Sequence, residues 1–242
     1  MEVTEEKRWL TFLSRWMFLL PLPALLLFLS IGLLVNASGN APIELSFMIA
    51  AAENPLGLHL AGLAIILQWG SVAVFFIALA QLFRKQFPMK STFLSAIGVG
   101  FFIPMSAGNL HWTASMDLAK RYSIAAGDEQ RELLQQIQMT VFQIVESRID
   151  VANLFWGIGI LLFFLMARKV VPMYIHVLYI VSAVIMMLVF FSNLFGFTFP
   201  FVLIPVFWLA TLIAHISLGI VFHRKRKEAA PFEEAIPERK VR

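Results

Sequence analysis

Long apolar runs recur along the chain and are separated by short polar segments. Six of them are Trp9–Val35, Leu56–Phe83, Ser91–Trp112, Val151–Ala167, Val171–Phe191 and Phe201–Phe222. A helix needs about 20 apolar residues to cross the hydrocarbon core of a bilayer. Backbone groups in lipid must bond within their own segment, and no run alternates like a membrane β-strand. The pattern predicts an all-α, polytopic membrane helical bundle of six transmembrane helices.

The segment between the third and fourth runs, residues 113–149, is amphipathic. Apolar residues recur there at helical spacing: Ala114, Leu118, Tyr122 and Ala125 in the first half, Leu134, Ile137, Val141 and Ile144 in the second. Gly127 is a typical helix-terminating residue and Asp128 a typical N-cap. We predict an extracytoplasmic helical hairpin, formed by extensions of helices 3 and 4, that turns at Gly127 and Asp128. The alternative is that one arm lies in the headgroup layer as an interfacial helix.

Composition excludes several classes of protein. Of the 242 residues, 60% are hydrophobic and 14% are charged, whereas an ordinary soluble domain is about 45–50% apolar and about 25% charged. A soluble enzyme, a disordered chain and a nucleic-acid-binding protein are therefore excluded. The sequence has no cysteine, which also excludes disulfides, thiol catalysis and cysteine-ligated metals.

Lysine and arginine are distributed asymmetrically between the two sides of the six-span topology. One side carries fifteen of the nineteen: Lys7, Arg8, Arg15, Arg84, Lys85, Lys90, Arg168, Lys169, Arg224, Lys225, Arg226, Lys227, Arg239, Lys240 and Arg242. The positive-inside rule then predicts that both termini are cytoplasmic. We expect a protein of the bacterial cytoplasmic membrane, with a transmembrane domain in residues 1–227 and a disordered cytoplasmic tail in residues 228–242. The alternative of a cleaved signal peptide near residues 36–39 is disfavoured, because the first apolar run is longer than the usual 7–15 residues.

Polar side chains within or at the ends of the apolar runs form a candidate polar or ligand site. Glu146, Asp150 and Asn153 are spaced four and three residues apart, which places them on one face of the fourth helix. His59, Asn109 and His111 lie at the outer ends of the second and third runs: the candidate site is therefore His59, Asn109, His111, Glu146, Asp150 and Asn153. Ionisable residues inside a membrane are costly and are functional candidates for that reason.

The chemistry of these residues leaves alternatives open. Two histidines and two carboxylates at one level would suit zinc, but His111 falls on the hairpin seam, away from Glu146 and Asp150, and the sequence has no HExxH pair. His176 and His215 could pair with the outer histidines as haem ligands. The simpler interpretation is that these residues cap helix ends and bond near the headgroups. We therefore assign no catalytic residue and no cofactor, and we leave a metal undecided.

Three stretches carry a resemblance to known sequences. They are the second run with its basic end, LHLAGLAIILQWGSVAVFFIALAQLFRK, the junction GILLFFLMARKVVPMYIHVLYIVSAV and the last run, WLATLIAHISLGIVFHRKRK. In their hydropathy and in the polar residues that separate their apolar runs, residues 56–227 resemble a family of uncharacterised six-helix bacterial integral membrane proteins, grouped as a domain of unknown function. The resemblance implies an integral-membrane, six-helix architecture and brings no activity or functional residues with it.

Three functions are compatible with the sequence. The first, which we favour, is a non-enzymatic binding, regulatory or accessory component whose partners are the lipid bilayer and a protein partner or a second copy of the chain. The second is a small transporter or channel that uses the outer acidic stripe. The third is an intramembrane metal- or haem-dependent enzyme, which would need His59, His111, Glu146 and Asp150.

Overall fold

The computed structural model describes residues 2–26, 55–107, 109–200 and 202–227, together with residues 29, 45, 48 and 49. The helices delimited in this part of the chain are α1 (Glu2–Leu19), α2 (Pro55–Phe83), α3 (Pro88–Ala107), α4 (Asn109–Ile124), α5 (Asp128–Ala167), α6 (Met173–Phe195) and α7 (Leu203–Lys227). No strand occurs among the described residues. The prediction of an all-helical protein is confirmed.

Five helical stretches among the described residues are long and apolar enough to cross a membrane. They are Glu5–Leu26, His59–Phe83, Asp128–Ala167, Met173–Phe195 and Leu203–Lys227. This finding supports a membrane protein, and a count of six spans stays a prediction. Helix α3 occupies the place of the third predicted span, and its apolar residues are interrupted by serine, threonine and glycine. The end of the first predicted run, the candidate cleavage site near residues 36–39 and the tail at 228–242 lie outside the described residues.

Helix boundaries follow from local chemistry. Proline begins α2 and α3, where its missing N–H is not needed for an intrahelical bond. Gly196 ends α6 in the left-handed conformation, at φ +71°, and its N–H donates to the carbonyl of Ser192. Such a conformation is strained for any residue with a Cβ and is a common helix C-terminus.

The chain divides into two compact units, which we describe separately. Unit 1 consists of Met1–Pro21, Ser71–Phe101 and Asn153–Arg242, and unit 2 of Leu22–Gly70 and Phe102–Ala152. In unit 1, α7 packs against both α1 and α6. Small residues permit close helix approach: a Cβ on Gly98 would lie 3.0 Å from the carbonyl oxygen of Ala73, and one on Gly219 would lie 3.0 Å from the Cβ of Met17.

Contacts within unit 1 bring basic helix ends together. Helices α3 and α5 are antiparallel, because Ile97 lies beside Gly159 while Phe101 lies beside Trp156. Helices α5 and α6 are also antiparallel, since Phe163 contacts His176 and Trp156 bonds to Ser182. The start of α3, the end of α5 and the start of α6 therefore share one end of the unit. We call it the basic end, because Lys90, Arg168 and Lys169 lie there.

In unit 2, α4 packs against the first half of α5. Leu118, Ala119, Ala125 and Leu134 are buried in one hydrophobic cluster, and Phe142 packs against it. The predicted seam on α5 differs from the observed one, because Ile137 is 41% exposed and Ile144 is 51% exposed. The observed seam follows Leu134, Gln138 and Phe142, and the side chain of Gln138 is fully buried. A search for apolar residues alone missed this row because its central position is a glutamine.

Candidate functional site: a buried histidine and aromatic cluster

The six candidate residues chosen from the sequence differ in burial, and only some of their side chains lie in the described part of the structure. Asp150 and Asn153 are buried on α5, at 9% and 7% exposure, while His59 is exposed near the start of α2. Asn109 and His111 belong to α4 and Glu146 to α5, but their side chains lie outside the described part of the structure. The association of these six residues in one site stays a prediction.

A second set of polar residues lies in the interior of unit 1. Four helices contribute to it, with Phe75 from α2, Trp156 and Phe163 from α5, His176, Tyr179 and Ser182 from α6, and Thr211 and His215 from α7. All eight side chains are buried. We call this group the aromatic–histidine cluster.

His215 lies between three aromatic side chains. Its ring centroid is 5.4 Å from those of Phe75 and Tyr179 and 6.4 Å from that of Trp156, with the two planes nearly parallel at 4°. Aromatic contacts of this geometry add about 0.5–1.5 kcal/mol beyond the area that they bury. The imidazole is therefore held in one orientation by packing on its faces.

Hydrogen bonds fix which ring nitrogen of His215 carries the hydrogen. Nδ1 lies 2.7 Å from the carbonyl oxygen of Thr211, one turn earlier on α7. A carbonyl can only accept, so Nδ1 donates and, in the neutral ring, Nε2 is an acceptor. The Tyr179 hydroxyl is 3.3 Å from the same Nδ1 and can only accept there. Among the described residues, buried Nε2 of His215 and Oγ1 of Thr211 have no hydrogen-bond partner.

His176 occupies the neighbouring part of the cluster. Its ring centroid is 5.5 Å from that of Phe163 and 5.1 Å from that of Phe164, the latter in an edge-on arrangement. Phe163 in turn contacts Tyr179 edge-on at 5.8 Å. Aromatic rings thus connect the two histidines that the sequence analysis singled out, and each imidazole packs against at least two of them.

Ser182 is a potential nucleophile of the cluster, but its hydroxyl already makes two hydrogen bonds. Its hydroxyl donates to the carbonyl oxygen of Tyr179 at 2.8 Å and accepts from Nε1 of Trp156 at 3.4 Å. A catalytic serine needs a base within about 2.6–3.2 Å of its hydroxyl. The donor of Ser182 points to a backbone carbonyl instead, so this serine connects α5 to α6.

Unit 2 has its own polar contacts, between α4 and α5. The Ser115 hydroxyl donates to Oε1 of Gln138 at 3.0 Å, and both side chains are fully buried. Toward the turn, Nε2 of Gln135 donates to the Tyr122 hydroxyl at 3.2 Å. The guanidinium of Arg131 lies over the Tyr122 ring, 5.9 Å from its centroid. These contacts give the two helices a fixed register.

The sequence analysis identified His176 and His215 and missed Tyr179, Trp156 and Ser182. A signal was available: His176, Tyr179 and Ser182 are spaced three residues apart within an apolar helix, as expected for one helical face. The contribution of Trp156 depends on the packing of α5 against α6 and α7, which spacing along one helix does not reveal.

A metal site finds no support in the described part of the chain. No group of three or more His, Asp or Glu side chains there is arranged to hold a metal ion. The side chains of His111 and Glu146 lie outside this described part.

Comparison with known proteins gives no further assignment. No protein-family model matches this sequence, no curated protein is similar to it, and no solved structure matches its fold.

Proposed function

We propose that the protein is a non-enzymatic, multi-pass component of the bacterial cytoplasmic membrane that presents a helical arm to a partner outside the membrane. The arm is α4 together with residues 128–149 of α5. Both termini and the basic end of unit 1 face the cytoplasm in this proposal, and α3 supplies the sixth span.

The length of α5 is the observation that carries the proposal. The helix has 40 residues, which at about 1.5 Å per residue gives roughly 60 Å. The hydrocarbon core of a bilayer is about 30 Å thick. At the same rise, residues 150–167 of α5 alone give roughly 27 Å, close to that thickness, so in this proposal the polar half of the helix, which begins at Asp128, extends into the aqueous phase.

Features of both units support a binding role over catalysis. Within the described residues, the buried Ser182 hydroxyl of the aromatic–histidine cluster donates to a backbone carbonyl, and aromatic rings pack against both histidines. The arm, in contrast, has a defined register and exposed side chains near its turn, including Ile124 at 82% and Leu133 at 56% exposure. A helical arm with a fixed register and accessible apolar side chains favours an anchored binding component.

Photocrosslinking from the turn of the arm tests the proposal. The chain has no cysteine, so Gly127→Cys places a unique thiol at a position where a Cβ meets no atom within 4 Å. A photoreactive maleimide at Gly127→Cys in native membranes is expected to give one discrete protein adduct. Leu161→Cys, on the apolar half of the same helix and 44% exposed, is the control and should give lipid adducts only. Identical patterns from both positions would contradict the proposal.

A transporter or channel is the second candidate, favoured by one observation. Asp150 is a buried carboxylate in a helix apolar enough to span a membrane, and Asn153 is buried one turn later. Such carboxylates commonly mark ion or proton pathways. Transport would be supported by a proton or cation flux in liposomes that falls at least tenfold in Asp150→Asn and is unchanged in the variant of an exposed residue, Glu132→Gln. Equal flux through the unaltered chain and both variants would exclude a pathway through Asp150.

A further inference from the structure

A groove on α1 combines basic and apolar side chains. Its volume is about 710 Å³, and its described lining is Lys7, Arg8, Thr11, Phe12, Arg15, Trp16 and Leu19. These residues occupy adjacent rows of one helical face, with Lys7 and Arg8 toward the start of the helix, Arg15 between Phe12 and Trp16 in its second half, and Leu19 at its end. Long basic side chains beside an apolar surface match the two chemistries of a phospholipid.

Arg15 makes this groove unusual for a membrane helix. It lies inside the apolar stretch Glu5–Leu26 and its side chain is exposed. Within the described part of the chain, no carboxylate forms an ion pair with Lys7, Arg8 or Arg15. A charge in an apolar span is costly unless it reaches an interface or an opposite charge. An anion outside the protein would satisfy this requirement.

The apolar wall of the groove is held in place by the rest of unit 1. Nε1 of Trp16 donates to the carbonyl oxygen of Ser71 on α2 at 3.1 Å, and the Trp16 ring stacks on Phe12 with centroids 5.4 Å apart. On the other side of α1, Leu13 and Met17 are fully buried. The aromatic surface beside Arg15 is therefore fixed before any ligand binds.

We propose that this groove binds a phospholipid with an anionic headgroup. The phosphate bonds to the guanidinium groups of Arg8 and Arg15 and to the ammonium of Lys7, and an acyl chain lies along Phe12, Trp16 and Leu19. Arginine suits this role because its planar donors match two phosphate oxygens at once. A basic side chain at a membrane surface attracts an anionic lipid by about 1 kcal/mol, so about fivefold in affinity is expected for each arginine.

Quenching of a probe in the groove tests the proposal on the full chain. Leu19→Cys, labelled with a thiol-reactive fluorophore, reports on lipids at the apolar end of the groove. Vesicles would contain phosphatidylcholine with a fixed fraction of phosphatidylglycerol, and bromine would be carried on one lipid or the other. Leu209→Cys, on α7 and 59% exposed, is the matched control for ordinary lipid contact.

The proposal predicts stronger quenching by brominated phosphatidylglycerol than by brominated phosphatidylcholine at Leu19→Cys, and equal quenching at Leu209→Cys. Arg8→Gln together with Arg15→Gln should abolish the preference. Inorganic phosphate at millimolar concentration should leave it intact, because a free anion lacks the acyl contacts. Equal quenching by the two lipids at Leu19→Cys, with both arginines intact, would overturn the proposal. Loss of the preference for phosphatidylglycerol when phosphate is added would also overturn it, because that result would indicate that the groove binds a soluble anion.

Discussion

At the scale of single residues, the aromatic–histidine cluster shows how polar groups are accommodated in an apolar interior. Tyr179 is fully buried, and its ring contacts Phe75, Phe163 and His215. Its hydroxyl, in contrast, is 3.3 Å from Nδ1 of His215, which is already engaged by a closer carbonyl. The contribution of Tyr179 to stability should therefore come mainly from its ring.

Substitution at Tyr179 separates the ring from the hydroxyl. Tyr179→Phe should lower the free energy of unfolding by about 1 kcal/mol or less, as expected for one weak hydrogen bond. Tyr179→Ala should cost about 3–5 kcal/mol, because it removes a fully buried ring. Thermal unfolding in detergent, with exposed Leu209→Ala as control, would measure both. A cost for Tyr179→Phe that equals that of Tyr179→Ala would show that the hydroxyl dominates.

Residue chemistry also explains what the sequence could predict. His176 and His215 were identifiable because a histidine stands out in an apolar run. Gln138 was not, because a glutamine in a polar, amphipathic helix gives no sign that it is fully buried. Its burial depends on the Ser115 hydroxyl of another helix, and pairing between helices is invisible to periodicity within one of them.

At the scale of helices, glycines on α5 determine how closely its neighbours approach. A Cβ on Gly159 would lie 2.6 Å from Cζ of Phe76, a fully buried ring, and 3.2 Å from Ile97. A Cβ on Gly157 would lie 2.6 Å from Cγ of Met187, a flexible and half-buried side chain. Methionine can change rotamer to make room, whereas an aromatic ring packed on all sides cannot.

The two glycines should therefore respond differently to alanine. Gly159→Ala should destabilise the protein by about 1–3 kcal/mol, the usual cost of overpacking, and Gly157→Ala should cost clearly less. Thermal unfolding of the two purified variants would compare them, with Gly127→Ala as control, since a Cβ there meets no atom within 4 Å. Equal losses at the two positions would mean that Phe76 moves as readily as Met187.

The bond between Ser115 and Gln138 should determine the stability of the arm. Gln138→Ala leaves the buried Ser115 hydroxyl without this acceptor, which costs about 1–3 kcal/mol. Amide hydrogen exchange in α4 and the start of α5 should accelerate accordingly, while exposed Gln136→Ala should have no effect. Ser115→Ala combined with Gln138→Leu should restore much of the protection. Unchanged exchange in Gln138→Ala would show that the apolar contacts alone hold the arm.

At the scale of the whole molecule, each of the two units has its own candidate functional features. Unit 1 contains the aromatic–histidine cluster, the basic end and the α1 groove, while unit 2 contains the whole arm. The apolar pattern was sufficient to predict an all-helical protein with several helices apolar enough to cross a membrane, since a run of about 20 apolar residues has few alternatives. It was insufficient to predict the seam of the arm, where a buried glutamine replaces an apolar residue.

Labelling of single cysteines tests the proposed topology most directly, since that proposal puts residues 127 and 169 on opposite sides of the membrane. Gly127→Cys and Lys169→Cys each introduce the only thiol in the chain. In intact cells, a membrane-impermeant maleimide that passes the outer envelope should label Gly127→Cys fully and Lys169→Cys only after the membrane is permeabilised. Equal labelling of both before permeabilisation, or labelling of Lys169→Cys alone, would contradict the account.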